Sequence, residues 1–232
     1  MLPFKRKKEF EMNLIRKTVL WLRLKSHYSH RRKYFNELFE KEDPYQALTR
    51  EYETVKFGWV VDCVRNKLHK DALELGCAEG VMTAMLSPYC GKITGVDISE
   101  TAIKRAKEKR GYGNVEFIAA NVVEFMPARV FDLIVAVDMA YYLGQEHSWE
   151  HMEAELSRWV SWLSPGGRLI LLNGFNEVTH PKDWLGPHVM EGYRKIMEKA
   201  GLKLVKEEIK KYSQDGFSRA NLVSVLEKQK SL

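Results

Sequence analysis

The chain has 232 residues, 45% of them hydrophobic, which is sufficient for one well-packed domain with a terminal extension. It contains no uncharged apolar run of about 18 residues and no secretory signal, so the sequence predicts neither a membrane span nor export. The formal net charge of +6 is unevenly distributed, because residues 1–33 hold eleven Lys and Arg against two Glu (+9), which leaves −3 for the remainder. The overall basic character therefore does not indicate a nucleic-acid-binding domain.

The cysteine content indicates the compartment. Cys63, Cys77 and Cys90 are odd in number and lack metal-ligand spacing, so they are predicted to be reduced thiols of a cytoplasmic protein. The sequence contains no other cluster with the spacing of metal ligands, and we expect a site that needs no metal.

Residues 1–33 form a basic amphipathic N-terminal arm in the sequence-based division of the chain. Apolar residues such as Leu14 and Val19 recur at helical spacing among Arg16, Lys17 and Arg23. One interpretation is a peripheral contact with an anionic membrane surface or an acidic substrate. The other is a helix whose apolar face packs on the domain.

Residues 34–70 are predicted to form a helical lid. The helical pattern from 34 to 65 is interrupted at 42–45, where Asp43 and Pro44 are typical of a helix N-cap followed by proline at the first helical position. Tyr45, Tyr52 and Lys56 would then share one helical face and could cover a ligand. The alternative is an ordinary packed helix.

Residues 71–232 alternate strand and helix patterns, which predicts a parallel α/β sheet covered on both faces. A turn at 214–216 predicts that the last two strands form an antiparallel hairpin at one edge. The predicted strands are Ala72–Leu75, Lys92–Val96, Val115–Ala119, Leu133–Val137, Arg168–Leu172, Leu202–Ile209 and Phe217–Leu226, and the predicted helices are Val81–Ser87, Glu100–Arg110, His151–Leu163 and 187–200.

The turn after the first predicted strand indicates a ligand at a helix N-terminus. Its glycines, Gly76 and Gly80, depart from the G-x-G-x-x-G pattern of dinucleotide folds, and no Lys-Ser pair of a phosphate loop follows. Asp97 ends the next apolar run and is placed to reach ribose hydroxyls. The pattern therefore favours a nucleoside-type ligand without a pyrophosphate.

Several segments together resemble class I S-adenosylmethionine-dependent methyltransferases. They are 73–80 (LELGCAEG), 96–99 (VDIS), 131–138 (FDLIVAVD), 141–143 (YYL) and 163–169 (LSPGGRL). Further matches at 34–39 (YFNELF), 43–45 (DPY) and 51–56 (EYETVK) resemble the nodulation protein S family, whose founding members N-methylate the deacetylated end of chitin oligosaccharides. The resemblance implies a Rossmann-like seven-stranded sheet of order 3-2-1-4-5-7-6, with its last strand antiparallel and an N-terminal helical extension.

The resemblance also implies S-adenosyl-L-methionine as cofactor and assigns its contacts. Asp97 would bind both ribose hydroxyls, and Ile98 would lie against the adenine. Asn121 would meet the adenine amine, helped by the backbone of Val122. The methionine part would be enclosed by Glu74, Gly76, Cys77, Ala78 and Gly80, and its carboxylate would be reached by Tyr52 and Lys56.

Asp138 follows the fourth strand and would face the methyl-donor end of the cofactor. An amine acceptor must be neutral to attack a methyl group, so a carboxylate or His can orient it and take its proton. Asp138, Tyr142 and His147 are the catalytic candidates, together with Tyr141. His180 and His188 belong to or follow the long loop at 173–187, which we expect to cover the substrate.

The leading hypothesis is methyl transfer to an N or O atom of a small molecule, such as an amino sugar or glycan. One alternative is a noncatalytic S-adenosylmethionine-binding regulatory protein. Another is an RNA methyltransferase that uses the basic arm, although the N-P-P-Y-type motif for amino methylation of a base is replaced by Asp138-Met-Ala-Tyr141. The sequence leaves the oligomeric state open.

Overall fold

The computed structural model describes residues 30–144, 149–175 and 186–230. The predicted basic arm therefore lies almost entirely outside the described residues, and its membrane contact stays a prediction. The helices are α1 (30–38), α2 (Glu51–Val64), α3 (Val81–Leu86), α4 (Glu100–Arg110), α5 (Ala140–Gly144), α6 (Trp149–Ser161) and α7 (Pro187–Lys199). The strands are β1 (His69–Leu75), β2 (Cys90–Asp97), β3 (Val115–Ala119), β4 (Phe131–Val137), β5 (Leu163–Phe175), β6 (Leu202–Gln214) and β7 (Phe217–Lys228).

All seven strands form one sheet in the order β3-β2-β1-β4-β5-β7-β6. Strands β3, β2, β1, β4 and β5 pair in parallel, whereas β7 is antiparallel to both β5 and β6. The predicted fold class and the predicted hairpin are confirmed. β1 has β2 and β3 on one side of it and β4 and the later strands on the other side. Ligands of such sheets bind at the carboxyl ends of the strands where the strand order changes direction in this way.

The core follows from the two-residue period of the buried strands. In β1, Leu73 and Leu75 pack on one face of the sheet in a cluster with Trp159 of α6, and all three are fully buried. Ala72 points to the other face and packs in a cluster with Leu133. Both faces of the central strands are therefore covered, which explains their nearly continuous apolar sequence.

The segment before β1 differs from the prediction. No helix begins at Pro44, because residues 39–50 form turns and α2 begins only at Glu51. Asp43 has a positive φ of 45° and its carboxylate accepts hydrogen bonds from the backbone N–H groups of Ala47 (2.7 Å) and Leu48 (3.2 Å). The Asp-Pro pair thus stabilises a turn rather than a helix start, and Tyr45 is not on the face of α2.

Several element bounds also differ from the prediction. Strand β1 begins at His69 rather than at the predicted Ala72. The helix expected to end at Leu163 ends at Ser161, and β5 begins at Leu163 with an irregular pairing to β4 before Arg168. Helix α5 was not predicted. No helix within the described segments is long and apolar enough to cross a membrane.

Candidate active site

A cavity of about 470 Å³ lies between the lid segment and the carboxyl ends of β1, β2 and β4. Its size is in the range of about 300–1,000 Å³ that is usual for small-molecule sites. One wall consists of Phe35 and Phe39 of the α1 region, the turn around Tyr45, and α2. The opposite wall is the turn after β1 and the first residues after β2 and β4. The ends of the strands therefore form one wall of the cavity, and the predicted lid segment forms the other.

The turn at 76–80 fits closely against its neighbours. The N–H groups of Gly76 and Cys77 donate to the Val96 carbonyl at 2.8 and 3.1 Å, which fixes the turn on β2. Gly76 has a φ of +75°, and a Cβ there would lie 2.6 Å from the Met139 side chain. Glycine is needed at this position both for its backbone conformation and for the close approach of Met139.

Asp97 ends β2 on the floor of the cavity and is largely buried. Its carboxylate accepts hydrogen bonds from the N–H groups of Ala78 (2.9 Å) and Ser99 (2.8 Å), which orient it between the first two strands. Burial raises the pKa of Asp97, and these backbone donors oppose the rise. A carboxylate held in this way can accept further hydrogen bonds from a pair of hydroxyls, as a ribose offers.

Glu74 lies fully inside the floor, where it accepts a hydrogen bond from the Thr83 hydroxyl. Burial raises its pKa from 4.5 to about 7, with the hydrogen bond from Thr83 acting in the opposite direction and Asp97 adding to the rise. Near neutral pH this carboxyl therefore changes charge over a narrow range, next to a cavity predicted to hold a cationic ligand.

This titration predicts a pH-dependent cofactor affinity. The ionised form of Glu74 attracts the cationic S-adenosylmethionine, so the Kd should fall by roughly tenfold from pH 6 to pH 8, as expected for one group titrating near 7. Calorimetry at both pH values measures this change. Glu74→Gln removes this titrating group, so any pH dependence of the Kd that remains comes from the cofactor itself. A pH dependence of the Kd equal to that of the wild type would contradict the role of Glu74.

By the same linkage, the free energy of unfolding of the cofactor-free protein falls as pH rises from 4.5 to 7, because the folded state binds the proton of Glu74 more tightly than the unfolded state does.

The far end of the floor carries Ile98, Asn121 and Val122. The Asn121 oxygen accepts a hydrogen bond from the N–H of Val123 at 3.2 Å, whereas its side-chain nitrogen is buried without a partner among the described residues. Arg158 of α6 donates to the Val122 carbonyl at 2.6 Å and holds this loop in place. The amide of Asn121 thus offers a donor, in addition to its oxygen, to a flat polar ligand such as adenine.

A buried cluster of charges forms the other end of the cavity. Lys56 of α2 is 5% exposed and donates to Asp138 at 2.7 Å and to Glu53 at 2.5 Å. Burial lowers the pKa of Lys56, but the two carboxylates outweigh burial, so its pKa is raised and the side chain is charged. The N–H of Gly174 donates to the other Asp138 oxygen at 2.7 Å. The cluster ties the lid to the ends of β4 and β5.

Aromatic side chains close the cavity beyond Asp138. The rings of Tyr141 and Tyr142 lie 4.4 Å apart, and Tyr142 makes an edge contact with Phe35 of α1 at 5.4 Å. Burial raises the pKa values of Tyr45 and Tyr141, as does the neighbouring Tyr142. The hydroxyls of Tyr45 and Tyr141 are therefore neutral at physiological pH and act as hydrogen-bonding groups rather than as bases.

Comparison with known proteins identifies the family. A family model described as nodulation protein S (NodS) matches residues 29–224. Nodulation protein S of Bradyrhizobium diazoefficiens is 30% identical over 149 residues, which cover 62% of this chain and 70% of that protein. The chain belongs to the nodulation protein S family.

The NodS family match extends to solved structures. The crystal structure of N-methyltransferase NodS from Bradyrhizobium japonicum WM9 in complex with S-adenosyl-L-homocysteine superposes with a TM-score of 0.70 at 21% identity, and covers 85% of this chain and 97% of that one. By this superposition the chain has the fold of an S-adenosylmethionine-dependent methyltransferase family, as the sequence resemblance predicted. A second relative by sequence, nodulation protein S of Sinorhizobium fredii, is 34% identical over 101 residues, which cover 43% of this chain and 45% of that protein.

Most of the predicted NodS-type site residues line the one cavity. These are Lys56, Glu74, Gly76, Cys77, Ala78, Asp97, Ile98, Asn121, Val122, Asp138 and Tyr142. Their individual roles stay predictions. His147 and His180 lie outside the described residues. His188 is exposed at the start of α7. The described residues contain no group of three or more potential metal ligands, and the expected independence of metal stays a prediction.

Two predicted cofactor residues do not line the cavity. The Tyr52 hydroxyl donates to the Asn221 side chain of β7 at 2.8 Å, so it docks α2 on the sheet. Gly80 caps α3 at a φ of +78°, where a Cβ would overlap the ring of Phe117. The sequence analysis assigned both residues to contacts with the cofactor, whereas the structure places them in packing contacts.

Gly80→Ala should therefore destabilise the fold more than a glycine replacement in open space. Gly113 is the matched control, since it also has a positive φ (64°) but no atom within 4 Å of an added Cβ. We expect Gly113→Ala to lower the free energy of unfolding by about 1–2 kcal/mol for the backbone conformation, and Gly80→Ala to lose roughly 1–3 kcal/mol more by overpacking. Urea denaturation measures both, and equal losses would contradict the packing role.

The sequence analysis missed several residues of this site, and three of them carry charge-paired side chains. Glu53 lies in the cavity wall beside Lys56, and Glu79 lines the cavity while paired with Arg105 at 3.2 Å. Arg105 of α4 also donates to the carbonyls of Glu40 (2.8 Å) and Lys41 (2.6 Å), which anchors the lid turns. The pairing of Glu53 with Lys56 could have been predicted, because residues three apart on a helix are neighbours. The contacts of Arg105 could not, because its partners are distant in the sequence.

Proposed function

We propose that this protein transfers a methyl group from S-adenosylmethionine to the amine nitrogen of a small molecule, with an amino sugar as the leading acceptor class. The observation that carries the proposal is the presence of two separate carboxylate sites in one cavity, one at the end of β2 and one after β4. Asp97 is oriented toward the space between β1 and β2, and the Asp138–Lys56–Glu53 cluster lies at the end of β4. A nucleoside bound at the first site would extend its methyl-donor end toward the second.

The charge of the second site favours an amine acceptor. Glu53 and Asp138 supply two carboxylates against the one ammonium of Lys56 within the ion-pair cluster, and the guanidinium of Arg50 lines the same cavity. The carboxylates attract an ammonium group, and this attraction is strengthened by the low local dielectric. A neutral hydroxyl acceptor gains less from it.

Methyl transfer from a sulfonium is an in-line displacement, and its main requirement is alignment of the nucleophile, the methyl carbon and the sulfur. In the proposed arrangement the floor residues Asp97 and Ile98 bind the nucleoside. The tyrosines of α5 and the lid shape the acceptor side and exclude water. Residues 34–70 act as the lid of this site, which is consistent with their ties to β4 through Lys56 and to α4 through Arg105.

The amino-sugar acceptor follows from the nodulation protein S resemblance and is tested by an acceptor panel. The protein is incubated with S-adenosylmethionine and glucosamine, a deacetylated chitin oligosaccharide, ethanolamine or a catechol, and release of S-adenosylhomocysteine is measured. N-acetylglucosamine and the fully acetylated oligosaccharide are matched controls, because their nitrogen is not nucleophilic.

We expect release with the free amino sugars and none with their acetylated forms. Release with the catechol alone would overturn the proposed amine acceptor in favour of an oxygen acceptor. Binding of S-adenosylmethionine without turnover across the panel would favour the regulatory alternative.

A further inference from the structure

Both oxygens of Asp138, the carboxylate expected to assist the acceptor, already accept a hydrogen bond from the protein. One oxygen accepts from Lys56 and the other from the N–H of Gly174, each at 2.7 Å. Its backbone is also held at a positive φ of 49°, which is uncommon for a residue with a side chain. Asp138 therefore holds the Lys56 side chain in position and connects the ends of β4 and β5. Protonation of its carboxylate would break the buried ion pair with Lys56.

Glu53 is differently placed. It lies one turn before Lys56 on α2 and lines the same cavity, with a side chain that is 12% exposed. Lys56 is the only side chain within ion-pair distance of its carboxylate in the part of the chain that the structure describes, and that contact involves a single oxygen. The second oxygen remains available to a ligand in the cavity.

The surroundings of Glu53 suit a proton acceptor. Burial raises its pKa, while Lys56 lowers it, Asp138 from β4 raises it and Arg50 at the start of α2 lowers it. A raised pKa brings a carboxyl closer to the pH at which it works most effectively as a base. Lys56 retains its charge through Asp138, so it stabilises the ionised form of Glu53, which is the form that can accept a proton.

We propose that Glu53 takes the proton from the acceptor ammonium before methyl transfer. This inference rests on the proposed amine acceptor. The Glu53 carboxylate accepts one proton from the ammonium, which leaves a neutral amine and a protonated Glu53. The nitrogen lone pair then forms a bond to the methyl carbon while the carbon–sulfur bond breaks, its electron pair goes to sulfur, and the cofactor becomes a neutral thioether. Glu53 later returns its proton to solvent.

The test compares the pH dependence of kcat/KM for the best amine in the wild type and in Glu53→Gln. For the wild type, kcat/KM should be level between the pKa of Glu53 and that of the amine. For Glu53→Gln, kcat/KM near neutral pH should fall by about 10²-fold or more, the usual contribution of a general base, and should rise tenfold per pH unit toward the pKa of the amine. The Kd for S-adenosylmethionine should change far less than kcat/KM, by less than about tenfold or 1.4 kcal/mol, since Glu53 is proposed to contact the acceptor rather than the cofactor.

Glu51→Gln is the matched control, since Glu51 is an exposed glutamate in the first turn of the same helix. It should keep the wild-type rate and pH profile. A wild-type profile in Glu53→Gln would overturn the role of Glu53 alone. An equal loss at every pH, with weaker cofactor binding, would also overturn it and indicate a structural role. If the wild type methylates no amine, the proposed function itself fails, and the role of Glu53 fails with it.

Discussion

Asp97→Ala should raise the Kd for S-adenosylmethionine by at least about 100-fold. The carboxylate is held by two backbone donors and is expected to accept two hydroxyl hydrogen bonds from the ribose. Hydrogen bonds to a charged group contribute about 1.5–3 kcal/mol each, and each 1.4 kcal/mol changes the Kd about tenfold. The substitution also releases the N–H groups of Ala78 and Ser99, which loosens the turn around the methionine part. Isothermal titration calorimetry measures the change.

Asp132 provides a closely matched control for this substitution. It also accepts hydrogen bonds from two backbone N–H groups, those of Lys70 and Asp71, each at 3.0 Å, but at the opposite end of the sheet from the cavity. Asp132→Ala should lower stability and leave the Kd unchanged. Equal effects of the two variants on the Kd would show that loss of backbone contacts, rather than loss of a ribose contact, weakens binding.

Lys56→Met should be among the most destabilising single changes in the lid. Methionine keeps much of the length of the side chain but leaves Glu53 and Asp138 as adjacent, poorly solvated carboxylates. Removal of one partner of a buried ion pair costs about 3–5 kcal/mol, which corresponds to a fall in Tm of about 10 °C for a domain of this size. Differential scanning calorimetry measures the fall. Activity should fall as well, since the lid loses its tie to β4.

The control is Lys195→Met on α7, where Lys195 pairs with Glu191 at the same 2.7 Å but both side chains are more than half exposed. Exposed pairs contribute little, so no change in Tm is expected. In Lys56→Met combined with Asp138→Asn, part of the lost Tm should return, because one uncompensated charge is removed. A double variant as unstable as the sum of the single variants would contradict a charge-based explanation.

The sheet and the cofactor edge were predictable because both leave local signatures in the sequence. Buried parallel strands appear in the sequence as short apolar runs, and the candidate ligand residues Asp97 and Asp138 stand at the ends of two of them. Gly76 was recognisable from its position between the first strand and the first helix of the sheet. Strand order came from the family resemblance, since spacing along the chain does not specify it.

The lid was harder to predict because its conformation depends on contacts with distant residues. Asp43 and Pro44 have the local features of a helix start, yet the Asp43 carboxylate instead accepts from the turn at 47–49. Glu53 has no strand end or glycine turn to mark it. The spacing of Glu53 and Lys56 indicates their pairing, but the role proposed for Glu53 also depends on the contact of Lys56 with Asp138, which lies 82 residues away in the chain.

A crystal structure with S-adenosylhomocysteine tests the central claim most directly. The ribose hydroxyls should lie within about 3 Å of the Asp97 carboxylate, the range of a strong hydrogen bond. The adenine should lie against Ile98 and Asn121, and the sulfur should face the Asp138–Lys56 pair with Glu53 across the acceptor space. Density for the nucleoside outside the space between β1 and β2, or a sulfur directed away from Asp138, would contradict the account.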